Sequence, residues 1–234
     1  MSEENIEEAQ NKRENQRDLL NKFIDEPVNF LIKHNITPNQ LSYIGLSCIV
    51  VAAFFLALRS IYFPIWIAWP APFFIFLGGS FDVFDGEVAR RTDKEGPEGA
   101  FLDSNIDRIS DAVIIFGLVM CGISYFIGFL LMFLTIMISY TRSRAESEGV
   151  EMEGVGLMER AERILTIFGA LIIETWVYFF MSFSPNPFLI TLPFINAKPM
   201  TPFFLIFIFV YVFVLILTIG QRIKFTFHSL KNRN

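Results

Sequence analysis

Aspartates recur at helical intervals in two stretches of this chain. Asp82 and Asp85 stand in Phe81-Asp82-Val83-Phe84-Asp85-Gly86-Glu87-Val88-Ala89-Arg90, and Asp103, Asp107 and Asp111 follow Gly99-Ala100-Phe101-Leu102. On a helix Asp82, Asp85 and Ala89 share one face, and Asp103, Asp107 and Asp111 share another. If the two helices lie side by side the carboxylates converge, and such a cluster is costly unless cations neutralise it. Hard divalent ions such as Mg²⁺ take carboxylate oxygens and commonly complete their coordination with substrate phosphates. The chemistry implied is a metal-assisted reaction on a phosphorylated substrate. Solvated loop acids would have no reason to keep helical spacing, with Gly86 and Ala89 clearing room beside them.

The setting makes that substrate a lipid. Of 234 residues 53% are hydrophobic, 28 are Phe and only 18% are charged, against roughly 25% charged in soluble domains. A body this small cannot hide so much apolar surface from water, so the solvent is a bilayer. A net charge of −5 argues against a nucleic-acid partner. Cys48 and Cys121 both lie in apolar runs, which excludes a disulfide framework.

The elements that must position the acids follow from hydropathy. Residues 1–18 form a polar tail with no signal-peptide core. Residues 19–36 read as an amphipathic segment in the membrane interface, with Leu19, Leu20, Phe23, Ile24, Val28, Leu31 and Ile32 at helix-like spacing and an interruption near Pro27. Residues 37–234 hold six predicted spans, near Leu41–Leu58, Ile61–Phe81, Ser104–Met120, Tyr125–Tyr140, Ile164–Phe183 and Phe203–Gly220. Gly122, Ile123 and Ser124 alone separate the third from the fourth, but Ser104–Tyr140 is too long for a single crossing. Of the 19 basic residues, all but Arg59 and Lys198 fall on one side of this arrangement. The positive-inside rule then puts both termini, and the aspartates, in the cytoplasm. The fold class is an all-α, six-span integral membrane protein preceded by an interfacial helix, in the cell membrane with its active site facing the cytoplasm.

The residues Asp82, Asp85, Gly86, Ala89, Arg90, Gly99, Asp103 and Asp107 have the types and gaps of the signature of the CDP-alcohol phosphotransferases, and the chain is identified as resembling that family. The interfacial helix, Thr37-Pro38-Asn39 before the first span, and the six spans also resemble it. The resemblance implies transfer of a substituted phosphate from a CDP-linked lipid to an alcohol, with release of CMP. It implies two Mg²⁺ (or Mn²⁺) ions on Asp82, Asp85 and Asp103, with Asp107 touching metal and acting as general base. Gly86 and Ala89 would admit the cytosine ring, and Arg90 with Thr37, Pro38 and Asn39 would help hold the nucleotide. It also implies a homodimer among membrane lipids. The spacing alone leaves open which carboxylate is the base.

The acceptor is read from the remaining cytoplasmic cations. Arg142 and Arg144, with Arg160 and Arg222, could form a pocket for a phosphate dianion, which arginine's fork-shaped donors suit. The pattern resembles the branch of the family that makes phosphatidylinositol phosphate or archaetidylinositol phosphate. That implies inositol phosphate as acceptor, held by Ser139, Arg142, Arg160 and Arg222 with Arg144 nearby. Arg142 stands where the bacterial branch has Lys, a change of geometry at constant charge, and glycerol 3-phosphate is the alternative acceptor. An intramembrane prenyltransferase would also use aspartates and Mg²⁺, but in two separated motifs without the Gly-x2-Ala-Arg continuation. An ion transporter would place its acids near the midplane. Glu174, an acid within a predicted span, is either functional or near the outer interface. Asp111 extends the aspartate face and need not touch metal. His34 and His228 read as interfacial.

Overall fold

The computed structural model describes residues 24–152 and 154–231; the polar tail and the first residues of the amphipathic segment lie outside them. Helix α1, over residues 24–33 among those described, turns at Asn35, whose φ is +55°, into α2 (Pro38–Ala57). Two single 3₁₀ turns, Ser60–Tyr62 and Ile65–Ile67, lead to α3 (Pro70–Arg91). Helices α4 (Pro97–Cys121), α5 (Tyr125–Ser147), α6 (Arg160–Met181) and α7 (Pro202–Lys231) complete the bundle. Among the described residues there is no strand, only isolated bridges between Ile190 and Met200 and between Ile123 and Asn196.

The boundaries have local causes. Thr37 opens α2 with a capping box: its hydroxyl accepts from the Gln40 N–H, and the Gln40 side chain accepts from the Thr37 N–H at 2.9 Å, so Pro38 takes the first helical position, where a missing N–H costs nothing. Pro70, Pro97 and Pro202 begin α3, α4 and α7 in the same manner. Gly122, at φ +139°, ends α4, and Ser124 caps α5. The short spacer between those two helices is therefore a real break.

Among the described residues five helices are long and apolar enough to cross a bilayer; α4 is long enough but carries Asp103, Asp107, Arg108 and Asp111 in its first fifteen residues. Three sequence expectations need correction. Residues 24–33 are helical on both sides of Pro27, so no interruption occurs there. The second span does not start as a helix at Ile61, because Pro64 forces Phe63 into an extended conformation (ψ 169°). And α3, α5 and α7 run on past the apolar windows to Arg91, Ser147 and Lys231, because hydropathy reads the span while the helix continues into polar surroundings.

Helix α2 is the centre of the packing, against α3 and α4, while α5 packs on α7 and α6 on α3. The close approaches use small residues. A Cβ on Gly78 would lie 2.6 Å from Ile49 Cδ1 and 3.1 Å from the Gly45 carbonyl, and one on Gly117 would lie 2.8 Å from Ala53 Cα. Ile49, Leu56, Ile75, Ile114, Leu118, Leu171 and Phe204 fill the interior, and α1 buries Val28 and Leu31 against Leu41 and Val88. Phe54, Phe76, Phe116, Phe129, Phe180 and Phe213 point outward, the arrangement expected of a surface solvated by lipid rather than water.

The bundle end opposite the aspartates is tied shut. Glu174, fully buried, accepts hydrogen bonds from Tyr62 at 2.8 Å and from Thr201. Asn196 bonds the backbone of Ile190, Leu192 and Lys198, and Arg59 donates to the Pro199 carbonyl at 2.8 Å. Glu174 stands 14 positions along α6 from Arg160, about 21 Å at 1.5 Å per residue, and holds the loop before α7.

The α2–α4 contact yields a test. Gly117→Ala puts a methyl group against backbone that cannot yield and should cost about 1–3 kcal/mol, seen as a lower melting temperature in detergent. Gly169→Ala on α6, with nothing within 4 Å of its Cβ, should leave the melting temperature unchanged or raise it. Equal melting temperatures for the two variants would contradict this packing.

Candidate active site

The last three turns of α3 and the first three of α4 bring the acids together. Asp82, Asp85 and Asp103 each present a carboxylate oxygen, all within 4.8 Å of one another. Asp85 is 6% exposed, and the Ser42 hydroxyl of α2 donates to its Oδ2 at 2.5 Å. Three hard anionic donors at this separation match the preferences of Mg²⁺ or Mn²⁺. Asp107 sits one turn along α4. Its Oδ1 lies 2.9 Å from Arg160 Nη1, which also reaches Asp82 Oδ2 at 2.5 Å, and its Oδ2 lies 3.6 Å from Arg108. Asp107 Oδ1 and Arg160 Nε are both buried without a geometrically formed hydrogen bond.

Two cavities open on either side of Asp103. The first, about 370 Å³, lies between the start of α2, the end of α3 and the α3–α4 loop, and is lined by Pro38, Asn39, Asp85, Gly86, Ala89, Gly99 and Asp103. A Cβ on Gly86 would meet only the mobile head of Arg90, at 3.7 Å, so that helix face is open. The second cavity, about 350 Å³, is lined by Asp103, Asp107, Ser139, Arg142, Arg160 and Arg222, and also by Arg108, Arg163, Glu146 and Glu159.

Most of the residues singled out in the sequence thus gather at two adjoining cavities, but some do not. Thr37 lines neither, its hydroxyl being used to cap α2. Arg90 pairs with Glu87 at 2.7 Å with its side chain 58% exposed. Arg144 is turned away from Arg142, because residues two apart do not share a helix face. It bonds Ser147 and Glu148, beside a separate groove of Tyr140, Ile223 and Phe227. Arg142 is salt-bridged to Glu146 at 2.9 Å. Arg222 is 2% exposed and donates to two backbone carbonyls, Val155 at 2.9 Å and Ile138 at 2.7 Å. It thereby seats the α5–α6 loop on α7, where Gly156, at φ +109°, passes too close for a side chain: its Cβ would lie 2.9 Å from Thr218.

The family model for CDP-alcohol phosphatidyltransferase matches residues 35–218, a stretch that includes every acid discussed and, Arg222 apart, the lining of both cavities. The chain belongs to that family. The archaetidylinositol phosphate synthase of Pyrococcus horikoshii is 39% identical over 134 residues, 57% of this chain and 68% of that protein. The corresponding protein of Methanothermobacter thermautotrophicus is 48% identical over 90 residues, 38% of this chain and 46% of that one. In fold the phosphatidyltransferase is similar to the phosphatidylinositol phosphate synthase of Mycobacterium tuberculosis. That enzyme was solved in complex with manganese and citrate (TM-score 0.65, 21% identity, 87% of this chain and 88% of that one) and with CDP-DAG bound (TM-score 0.64, 20% identity, 88% and 94%).

Sequence reasoning missed several contributors. Ser42 follows Pro38 by one turn on the same face of α2, a spacing that could have revealed it. Lys94 and Glu95 reach the first cavity from the α3–α4 loop, after Asp93 at φ +52°, and nothing in their spacing announced this. Asp111 meets Arg163 rather than Arg108, which instead donates to the Ser104 carbonyl. The open face at Gly86 gives a second test. Gly86→Ala should bind a CDP-linked lipid nearly as well as the parent. Gly86→Leu should fold, with an unchanged melting temperature, yet lose binding by tenfold or more, about 1.4 kcal/mol. Equal binding by the leucine variant would remove the nucleotide from this cavity.

Proposed function

We propose that the phosphatidyltransferase moves the lipid-bearing phosphate of a CDP-linked lipid, CDP-diacylglycerol or CDP-archaeol, onto inositol phosphate and releases CMP. The observation that carries this reading is that Asp103 belongs to the wall of both cavities. A phosphorus placed at that wall is within reach of a nucleotide on one side and an alcohol on the other, which is what a direct transfer requires. The printed names of the Pyrococcus and Mycobacterium relatives support the lipid and acceptor classes.

The nucleotide lies in the first cavity, against the bare helix face at Gly86 and Ala89, with Pro38 and Asn39 on the facing wall; Thr37 contributes by fixing the start of α2. Arg90 faces the nucleotide's exposed side from the end of α3. Asp82, Asp85, Asp103 and Asp107 hold Mg²⁺ or Mn²⁺, as two ions, whose charge when bound offsets that of the diphosphate and of departing CMP. In the second cavity Ser139, Arg142, Arg160 and Arg222 receive the phosphate of the acceptor, with Arg142 most exposed to it and Arg144 outside the contact. Asp107 takes the proton from the attacking hydroxyl. The new bond joins that oxygen to the lipid-bearing phosphorus, and the bond from this phosphorus to the oxygen of CMP breaks.

In topology, α4 serves as the sixth crossing because its stretch 112–121 is apolar, both termini are cytoplasmic, and α1 lies in the interface. Residues 37–234 form the catalytic domain, preceded by the tail 1–18 and the segment 19–36. The working unit is a homodimer in the cell membrane with its site toward the cytoplasm, as the family resemblance implies.

The test is release of CMP from a radiolabelled CDP-linked lipid with Mg²⁺ and a panel of alcohols. Release should depend on the alcohol, be fastest with inositol phosphate, and cease in EDTA. Faster turnover with glycerol 3-phosphate would overturn the acceptor, and substantial turnover in EDTA would overturn the metal. Asp107→Asn should lower kcat by about 10²–10⁴-fold. Arg142→Gln should raise the acceptor KM by roughly 10- to 150-fold, the equivalent of about 1.5–3 kcal/mol for a charge-assisted bond, while the donor KM stays within a factor of two.

A further inference from the structure

The most buried ion pair among the described residues takes no part in the chemistry above. Arg163 Nη2 of α6 donates to Asp111 Oδ2 of α4 at 2.7 Å, with the two residues 3% and 8% exposed. Asp111 is one turn beyond Asp107 on α4, and Arg163 is one turn beyond Arg160 on α6. The contacts Asp107–Arg160 and Asp111–Arg163 are therefore successive rungs between the same two helices. Both rungs border the acceptor-side cavity, and the second is the more deeply buried of the two. Helix α6 makes its main packing contacts with α3, and α4 with α2 and α5, and these charged rungs join α4 to α6 directly.

A buried ion pair is weak evidence for stability, because apolar residues of similar volume often serve as well or better; its best-attested use is to specify register. Here register has a chemical consequence. The first turn of α6 carries Arg160, which forms part of the acceptor-side wall, whereas no α6 residue lines the nucleotide-side cavity. Turning or sliding α6 by part of a turn would move Arg160 from Asp107 and Asp82 and reshape the acceptor-side wall directly, while the nucleotide-side wall, which takes no residue from α6, would keep its lining.

We propose that Asp111 and Arg163 are positioning residues for the acceptor: their pair sets the rotation and height of α6 against α4 so that Arg160 stands over Asp107. This rests on the transfer reaction proposed above. A pair that only held the bundle together would, when weakened, impair both substrates alike. A pair that sets α6 impairs one of them.

The experiment uses full-length protein in nanodiscs, a CDP-linked lipid, and whichever alcohol the wild type turns over. If that alcohol is not inositol phosphate, the acceptor assignment falls, and the same split is read with the alcohol that works. Arg163→Lys keeps the buried charge but replaces the planar fork with a point charge. It should raise the acceptor KM by about tenfold, the scale of one weakened charge-assisted contact, with the donor KM unchanged within a factor of two. Asp111→Asn should shift the acceptor KM in the same direction. Adding Asp111→Glu to Arg163→Lys, which lets the longer acid follow the ammonium, should recover part of the loss. Equal rises in both KM values, no change in either, or loss of fold in both single variants would each assign the pair to the scaffold and overturn the proposal.

Discussion

One guanidinium organises the reactive end of this bundle. Arg160, from the first turn of α6, meets Asp82 of α3 and Asp107 of α4 through the same nitrogen, so three helix ends must converge on a point. Carboxylates this close, largely removed from water, repel one another strongly at reduced dielectric. Partners from other helices ease that repulsion at four of them: Arg160 for Asp82 and Asp107, Ser42 for Asp85, Arg163 for Asp111. The glycine contacts serve that convergence. Gly45 against Gly78 and Gly117 against Ala53 bring α2, α3 and α4 near enough for acids on separate helices to share a few ångströms.

The aspartate pattern was legible in the sequence because its period is that of the helix, and spacing on one helix survives folding unchanged. The helix starts at Pro38, Pro97 and Pro202 were not, because hydropathy marks only the apolar run, while a proline can begin a helix ahead of it without losing a bond. What spacing cannot show is which of several arginines faces inward. Arg142 and Arg144 are equivalent as composition, yet only Arg142 lines the cavity, and the period of α5 settles it once the buried face is known. Arg222 looked like a phosphate ligand and is largely spent on the carbonyls of Ile138 and Val155. Those acceptors come from elements far apart in the chain, and only tertiary structure brings them to it. Thr37 was read for its neighbourhood, while its hydroxyl answers a local demand, the unpaired N–H groups that open α2.

The two ends of the bundle divide the work. At the end opposite the aspartates most polar groups are satisfied internally: Glu174 by Tyr62 and Thr201, and Asn196 by three backbone groups. At the aspartate end two cavities of about 350 and 370 Å³ remain, with Asp107 Oδ1 and Arg160 Nε lacking formed hydrogen bonds beside them. Buried polar atoms without partners are costly and rare. Two of the three such atoms among the described residues stand at the junction between the cavities, the third being Ser60 Oγ, which fits a site whose polar groups are meant for something outside the chain.

That division also explains why the exterior is phenylalanine and the interior is partly ionic. In a bilayer the outward residues gain nothing from polarity, so Phe54, Phe116 and Phe213 can face lipid freely. Charges must then turn inward or to the interface, and those that turn inward here find partners on another helix. The same requirement ties α6 to α3 and α4 through its arginines and places acidic donors and basic receptors on either side of Asp103. For a lipid-linked donor entering from the membrane and a charged alcohol entering from water, a boundary of this kind lets both reach one phosphorus without either crossing the other's solvent.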